Sequence, residues 1–168
     1  MEMKKYVFNK YTSDYNRFYN YEKNKIVKAL GSKALVEHIG STSVRGLGGK
    51  GIVDILVGVK QKDMHKVKLK LENIGYEYRA VASVPGRIFF RRDYVSKKKI
   101  RRVHIHLVKM GGVEWRRIIL FRDYLKNHPE AVMEYSKIKK QAVKTAKGDG
   151  RVYRKLKEEF IEKIVQNS

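Results

Sequence analysis

Residues 36–59 limit the possible folds of this chain more strictly than any other segment. They join an apolar lead-in to a Gly-Ser turn, then to a glycine-rich loop, then to the continuous apolar run of residues 51–59. A run of this kind is typical of a strand that is buried on both faces. The segment therefore predicts two core strands whose connection depends on glycine.

Asp54 is the lone carboxylate within that apolar run. An unpaired buried carboxylate is costly unless a metal, a cation or hydrogen bonds meet it. Asp54 is therefore either part of a functional site or the partner of Arg45 or Lys50 in a structural ion pair. The ordered series of turn, lysine and carboxylate favours a site, with Asp54 as its catalytic and metal-binding residue.

Length and charge narrow the class of protein. The 168 residues suit one domain, and 42% of them are hydrophobic, which is enough for an ordinary core. The chain carries 39 Lys and Arg against 17 Asp and Glu, a formal net charge of +22. This charge favours anionic partners, from nucleotides to RNA or another polyanion, although a solvated surface accounts for it equally well.

Other classes are disfavoured by what the sequence lacks. It contains no cysteine, so any metal must be held by carboxylate, imidazole or backbone oxygen. It contains neither an apolar segment of membrane-spanning length nor the apolar core of a signal peptide. We therefore expect a soluble, cytoplasmic protein with no membrane partner. The sequence leaves the oligomeric state open.

Apolar spacing predicts the order of the first elements. The last three strands are separated by Pro85 and Gly86 and by a lysine-rich turn containing Lys97 and Lys98, which favours an antiparallel meander. The expected elements are a helix at 11–30, strands at 34–39 and 51–59, a helix at 63–75, and strands at 76–82, 87–93 and 101–108.

From residue 114 onward the pattern is helical, and breaks near Pro129 and at residues 148–150 divide it into three helices. The predicted fold class is α/β (α+β), with a mixed sheet of about five strands flanked by helices and a C-terminal helical segment. We expect residues 1–168 to form a single domain, with a sheet core at about 32–110 and C-terminal helices at about 114–166.

His104 and His106 are separated by one residue on a predicted strand, so both imidazoles lie on the same face. If that strand lies beside the strand of Asp54, a carboxylate and two imidazoles converge, a set that suits Zn, Mn or Fe better than Mg alone. His38, just before the Gly-Ser turn, is a further candidate ligand. The alternative is that one histidine packs against the sheet and the other bonds a backbone carbonyl.

Lys50 follows the glycine-rich loop, where a flexible ammonium can meet phosphate oxygens while backbone N–H groups hold the others. The spacing is not that of a Walker loop, so a P-loop kinase is not expected. Arg122 either reaches a substrate phosphate or pairs with Asp123 and Glu134. The predicted phosphate- and nucleotide-binding residues are Gly40, Ser41, Thr42, Ser43, Lys50 and Arg122.

A tyrosine and a lysine recur at i and i+4 on the last two helices, as Tyr135 with Lys139 and Tyr153 with Lys157. Each pair lies on one side of its helix. The pairs either pack as ridges between helices or form a basic wall over the cleft, because a lysine stem can be buried while its ammonium stays polar.

Together these motifs resemble the GrpB family within the DNA polymerase beta-like nucleotidyltransferase superfamily. The resemblance is carried by residues 37–44, residues 50–55, the His104 and His106 pair, residues 121–129 and the two Tyr/Lys pairs, so it extends over nearly the whole chain. It implies a fold whose Gly-Ser turn holds nucleotide phosphates, with Ser41 contacting phosphate and Asp54 holding a metal. It also implies metal-assisted phosphoryl transfer by two divalent ions.

The chain departs from the superfamily pattern at Leu56, where a second carboxylate is expected. The pattern also expects a further carboxylate on a later strand, at a position near His104 or His106. With one acidic ligand, either the metal differs or catalysis has been lost. The first hypothesis is a nucleotidyltransferase-like protein that binds a nucleoside triphosphate and a divalent metal (Mg, Mn or Zn), with an unknown acceptor. The second is a non-catalytic nucleotide- or RNA-binding module, and a metal-dependent hydrolase ranks third.

Overall fold

The fold is built on one mixed sheet, with helices on both of its faces. The structure is a computed structural model that describes residues 8–96 and 99–168, so the predicted lysine-rich turn at Lys97 and Lys98 lies outside the described residues. The described elements are α1 (Asp14–Leu30), β1 (Leu35–Ile39), β2 (Val53–Val59), α2 (Met64–Asn73), β3 (Glu77–Tyr78), β4 (Arg87–Ser96), β5 (Lys99–Lys109), α3 (Val113–Asn127), α4 (Pro129–Ala146) and α5 (Gly150–Gln166).

The strands of the described sheet run in the order β1-β2-β5-β4-β3. Strands β3, β4 and β5 form the predicted antiparallel meander, and β1 pairs antiparallel with β2. The central pair, β2 and β5, is parallel. The predicted mixed α/β sheet of five strands with three helices at the C-terminal end is therefore confirmed.

Strand β2 is buried on both faces, as its apolar run predicts. On one face Ile55 packs with α1 and α2 in a core that includes Ile26 and Leu71. On the other face Leu56 packs with Ile39 and Val108 of the neighbouring strands, and helix α3 covers them. Burial of both faces removes a large apolar area from water and fixes the register of the strand that carries Asp54.

The predicted strand at 76–82 is wrong in length. Only Glu77–Tyr78 forms a strand, and residues Ala80–Ala82 form a 3-10 turn. The hydroxyl of Ser83 explains this end, since it accepts a hydrogen bond from the Phe89 backbone N–H at 3.0 Å and donates one to the Arg79 carbonyl at 3.1 Å. A side chain thus takes over the backbone pairing that a longer strand would make.

Other boundaries also differ by a few residues from those predicted. Strands β4 and β5 are longer than expected, reaching Ser96 and beginning at Lys99, because their ladder continues as a two-stranded ribbon. Helix α1 begins at Asp14 rather than at residue 11. None of the helices in the described ranges is long and apolar enough to cross a membrane.

Candidate functional site

The parallel pairing of β2 with β5 brings Asp54 and the two histidines together. In that register Asp54 lies opposite His104, and Leu56 lies opposite His106. The Nδ1 atom of His104 is 3.2 Å, and the Nε2 atom of His106 is 3.4 Å, from the same oxygen, Oδ1 of Asp54. The ring of Phe89 stands edge-on to both imidazoles, at 4.8 and 5.2 Å between centroids, and holds their orientation.

These contacts determine the charge of the cluster. Burial opposes ionisation of Asp54, but hydrogen bonds from His104 and His106 outweigh it and hold the pKa of the carboxyl well below its usual range. Burial also lowers the pKa of His106, although the Asp54 carboxylate opposes that change. The result is an ionised carboxylate, 23% exposed at its side chain, that faces the side of the sheet carrying α3.

His38 is not brought into this cluster. It pairs with Ile55 on β2, whereas its neighbour Ile39 pairs with Asp54, so alternation along the strand places His38 on the opposite face of the sheet. There its ring stacks on Tyr19 at 4.4 Å, and its Nε2 atom lies 3.0 Å from the Thr42 hydroxyl. Burial lowers the pKa of His38 to about 4.

The Gly-Ser turn lies directly against the carboxylate. Gly40 has a φ of +70°, and a Cβ atom there would lie 2.5 Å from Oδ2 of Asp54. Such a backbone angle favours glycine, and the close approach excludes any larger side chain. After Gly40 the chain makes one 3-10 turn, Ser41–Ser43, which leads into the glycine-rich loop.

The three hydroxyls of the turn point to different places. Thr42 is buried against His38, and Ser43 donates its hydroxyl to the Gly40 carbonyl at 2.7 Å. The hydroxyl of Ser41 faces Gly49, where a Cβ atom would lie 2.6 Å from it and 3.2 Å from Nζ of Lys139. Ser41 is thus the turn hydroxyl that lies beside a cation.

Three lysines from separate segments interact with Asp54. Lys50 follows the loop, Lys139 is on α4 and Lys157 is on α5. Lys139 is only 3% exposed, and its ammonium donates to the Gly48 carbonyl and lies 5.0 Å from the Tyr135 ring centroid. The ammonium groups of Lys50 and Lys157 lie 4.5 and 4.8 Å from the ring centroid of Tyr153.

This arrangement settles the two alternatives for the Tyr/Lys pairs. Tyr135 and Tyr153 are buried, and each presents a ring to the ammonium groups beside it. The pairs therefore pack as ridges and also present their lysines toward Asp54. The sequence carried a signal for this cluster, the repeated four-residue spacing, but gave no means of placing both helices beside the loop.

The charges of the cluster act on one another. Burial, together with the charge of Lys157, lowers the pKa of Lys139 to about 7, and the same two causes lower the pKa of Lys50 to about 8. Burial also lowers the pKa of Lys157. The Asp54 carboxylate favours the protonated form of all three lysines and so partly offsets the lowering of their pKa values.

Arg122 makes structural contacts. Its side chain is 11% exposed, and it donates to Glu37 on β1 and to Asp123, each at 2.7 Å, and to the His38 carbonyl at 3.1 Å. The predicted pairing with Asp123 is present, but Glu37 takes the place expected for Glu134 in the described part of the chain. These bonds join α3 to β1.

The residues do not fit a pair of magnesium ions. Leu56, which stands where a second carboxylate is expected, is fully buried, and the position opposite Asp54 on β5 is His104. Magnesium prefers an oxygen-rich octahedral set, and these positions offer one carboxylate. Within residues 8–96 and 99–168, no group of three or more His, Asp or Glu side chains is arranged to hold a metal ion.

Comparison with known proteins shows the family of the chain. The family model described as "GrpB protein" matches residues 6–167 of the chain. The chain belongs to the GrpB family. The "Glutamate-rich protein GrpB" of Alkalihalophilus pseudofirmus is 29% identical over 159 residues, which cover 92% of this chain and 91% of that protein. A UPF0157 protein of Streptomyces coelicolor is 32% identical over 152 residues, or 90% of this chain and 77% of that protein.

Solved structures agree with membership of the GrpB family. The crystal structure of GrpB from Enterococcus faecalis superposes with a TM-score of 0.80 at 31% identity, over 96% of each chain. The Cid1 poly(U) polymerase, solved with MgGTP bound, gives a TM-score of 0.57 at 13% identity, over 80% of this chain and 44% of that one. At 13% identity the second likeness shows the fold alone: this chain has a nucleotidyltransferase-like fold.

Proposed function

We propose that this protein binds the triphosphate of a nucleoside triphosphate between the Gly-Ser turn and the cluster of Lys50, Lys139 and Lys157. The observation that carries the proposal is the imbalance of charge at the site. Among the described residues three lysines act on Asp54, and Glu158, which also acts on Lys157, is paired with Arg117, so positive charges outnumber negative ones at the site. An anion of high charge is the ligand that such a site binds best.

The energetics of the lysines support the same ligand. Lowered ammonium pKa values mean that protonated lysines are destabilised where they lie, by lost hydration and by one another. Phosphate oxygens reverse both effects, because they supply hydrogen-bond acceptors and negative charge. Binding of a triphosphate therefore stabilises the protonated lysines and is accompanied by proton uptake near neutral pH.

The turn supplies the second half of the proposed site. Ser41 and Lys139 both lie close to Gly49, and the 3-10 turn follows Gly40, where the approach of Asp54 leaves no room for a side chain. Backbone N–H groups in such turns form concavities that accept anions. In this proposal Gly40 and Ser41 contact phosphate, Thr42 and Ser43 shape the turn, and Arg122 only positions β1.

The competing account is a nucleotidyltransferase that holds its nucleotide through a divalent metal, Mg, Mn or Zn, on Asp54, His104 and His106. The convergence of these three side chains favours it. Against it stand the apolar Leu56 and the use of one carboxylate oxygen by both imidazoles. We therefore place the protein among nucleotide-binding modules that retain the fold, with the acceptor chemistry lost.

A thermal-shift series tests the lysine cluster, since a ligand that binds only the folded state raises its melting temperature. The four nucleoside triphosphates and adenosine are compared in EDTA on the wild type, Lys139→Met, Lys157→Met and the control Lys155→Met. Lys155 is an exposed lysine on the same helix as Lys157. We expect triphosphates but not adenosine to stabilise the wild type and the control, and both cluster variants to lose most of the shift.

Two results would overturn the proposal. One is the absence of stabilisation of the wild type by any triphosphate. The other is a shift that Lys139→Met and Lys157→Met retain in full, which would place the nucleotide elsewhere on this basic protein.

A further inference from the structure

A second basic surface lies beside the glycine-rich loop. It is a groove of about 560 Å³ between residues 8–11, the loop and helix α4. We name it the strand groove and define it by six of its lining side chains: Phe8, Lys10, Tyr11, Arg45, Lys137 and Lys140. We infer that the strand groove binds the sugar-phosphate backbone of single-stranded RNA, a site separate from the proposed triphosphate site.

The strand groove is positively charged. Lys10, Arg45, Lys137 and Lys140 are all exposed. None of the described residues that line the groove is acidic, and no ion pair within residues 8–96 and 99–168 joins these four cations to a carboxylate. Four uncompensated cations along one depression match a ligand with negative charges at regular intervals.

The strand groove also contains aromatic side chains. Phe8 and Tyr11 are part-exposed rings at the groove, and the ammonium of Lys140 lies 5.0 Å from the Phe8 ring centroid. Alternation of rings with cations is the arrangement by which proteins hold unpaired bases and their backbone together. An acidic peptide would pair with the cations but has no bases to stack on the rings. A membrane surface would not enter a concave groove.

The groove is built, rather than left by loose packing. The backbone of Asn9 exchanges hydrogen bonds with Gly49, at 2.6 and 2.9 Å. Phe8 packs so closely on the loop that a Cβ atom at Gly48 would lie 2.3 Å from its Cζ atom. The ammonium of Lys139, which lies 6.0 Å from the Phe8 ring centroid, donates to the Gly48 carbonyl. The loop is thus shared by the strand groove and the lysine cluster.

Fluorescence anisotropy of a labelled single-stranded RNA oligonucleotide tests this inference. The wild type is compared with Lys137→Gln/Lys140→Gln and with the control Lys62→Gln/Lys66→Gln, which removes the same charge from exposed lysines near α2. We expect the groove variant to bind roughly tenfold more weakly and to lower the slope of log K against log salt by about 1.4, or roughly 0.7 for each lost phosphate contact. The control should stay close to the wild type.

The aromatic half of the groove is tested separately with Tyr11→Leu. Loss of base stacking should weaken RNA binding by roughly tenfold and leave the salt slope unchanged, because no phosphate contact is removed. Nucleotide-induced thermal shifts are measured on every variant. They should stay at the wild-type value, since these residues lie outside the triphosphate site, so a failure of either proposal is distinguishable from a failure of the other.

Three outcomes would overturn the inference. The wild type could bind no RNA at low salt. The groove and control variants could weaken binding equally, which would mean that net charge alone attracts RNA. Polyglutamate or anionic vesicles could bind in a way that depends on Lys137 and Lys140 while RNA does not, which would assign the groove to another class of partner.

Discussion

At the scale of single residues, Gly40 provides the sharpest test of how the turn meets Asp54. Alanine at Gly40 must adopt a φ of +70° and place its Cβ atom 2.5 Å from a carboxylate oxygen. Gly31 is a matched control, with a φ of +74° and nothing within 4 Å of its would-be Cβ. Both residues combine a positive φ with an extended ψ, a conformation nearly restricted to glycine. We expect Gly31→Ala to lower the free energy of unfolding by about 1–3 kcal/mol, the cost of that backbone conformation alone, and Gly40→Ala to lower it by clearly more. Urea denaturation measures both, and equal losses would contradict the close approach.

Lys139 yields a prediction about pH. Its pKa is about 7 in the folded protein against 10.5 for an ordinary lysine, so the unfolded state binds more protons between these values. Stability from this residue therefore rises with pH across that window, by at most about 1.4 kcal/mol for each unit of pKa difference. Lys139→Met removes the effect. The difference in free energy of unfolding between wild type and variant, followed by denaturation from about pH 7 to about pH 9, should grow in favour of the wild type. A flat difference would show that Lys139 titrates normally.

At the same scale, sequence reasoning placed some residues and misplaced others for reasons that alternation explains. The spacing of His104 and His106 was enough to put both on one face. The same rule separates His38 from Asp54, but it applies only when the register of β1 on β2 is known. Only the family resemblance singled out Ser41 within the turn, because the three hydroxyls diverge only in the folded chain.

At the scale of elements, Arg122 joins helix α3 to strand β1. It is mostly buried and pairs with Glu37 and Asp123, whose side chains are 39% and 48% exposed, and it also donates to the His38 carbonyl. Because water can solvate both carboxylates once the guanidinium is removed, we expect Arg122→Met to lower the free energy of unfolding by only about 1 kcal/mol, with the nucleotide-induced thermal shift retained. A control on the same helix is Arg117→Met, whose guanidinium pairs with Glu158 and Glu162 of α5 instead. A stable Arg122→Met protein that no longer responds to triphosphate would instead support the phosphate-binding role predicted from the sequence.

The order of elements was predictable because helices and strands follow apolar spacing, whereas their spatial arrangement was not. The parallel pairing of β2 with β5 joins segments about fifty residues apart in the chain, and periodicity does not specify such a neighbour. The strand at 76–82 failed for a local reason, the Ser83 hydroxyl, which competes for backbone bonds. The lysine cluster needed α4, α5 and the loop to meet, and the sequence therefore left two alternatives for the Tyr/Lys pairs.

At the scale of the whole molecule, a formal net charge of +22 opposes compaction. Screening by salt should therefore raise the melting temperature. Sulfate should raise it further than chloride at equal ionic strength, partly because it strengthens apolar burial and partly by binding the lysine cluster. The part of the rise in melting temperature that comes from sulfate binding should be smaller in Lys157→Met than in Lys155→Met, whereas the part that comes from apolar burial should be the same in both. Melting curves in the two salts measure it, and identical responses of the two variants would argue against anion binding at the cluster.

We propose that the lysine cluster, rather than a metal on Asp54, holds the nucleotide. Calorimetric titration of a nucleoside triphosphate into the wild type and into Asp54→Asn, in EDTA and again in magnesium, tests this claim directly. We predict that Asp54→Asn binds at least as tightly as the wild type in EDTA, because a negative charge is removed from beside the phosphates. Binding that requires magnesium and is lost in Asp54→Asn would contradict the account and restore the metal-dependent nucleotidyltransferase.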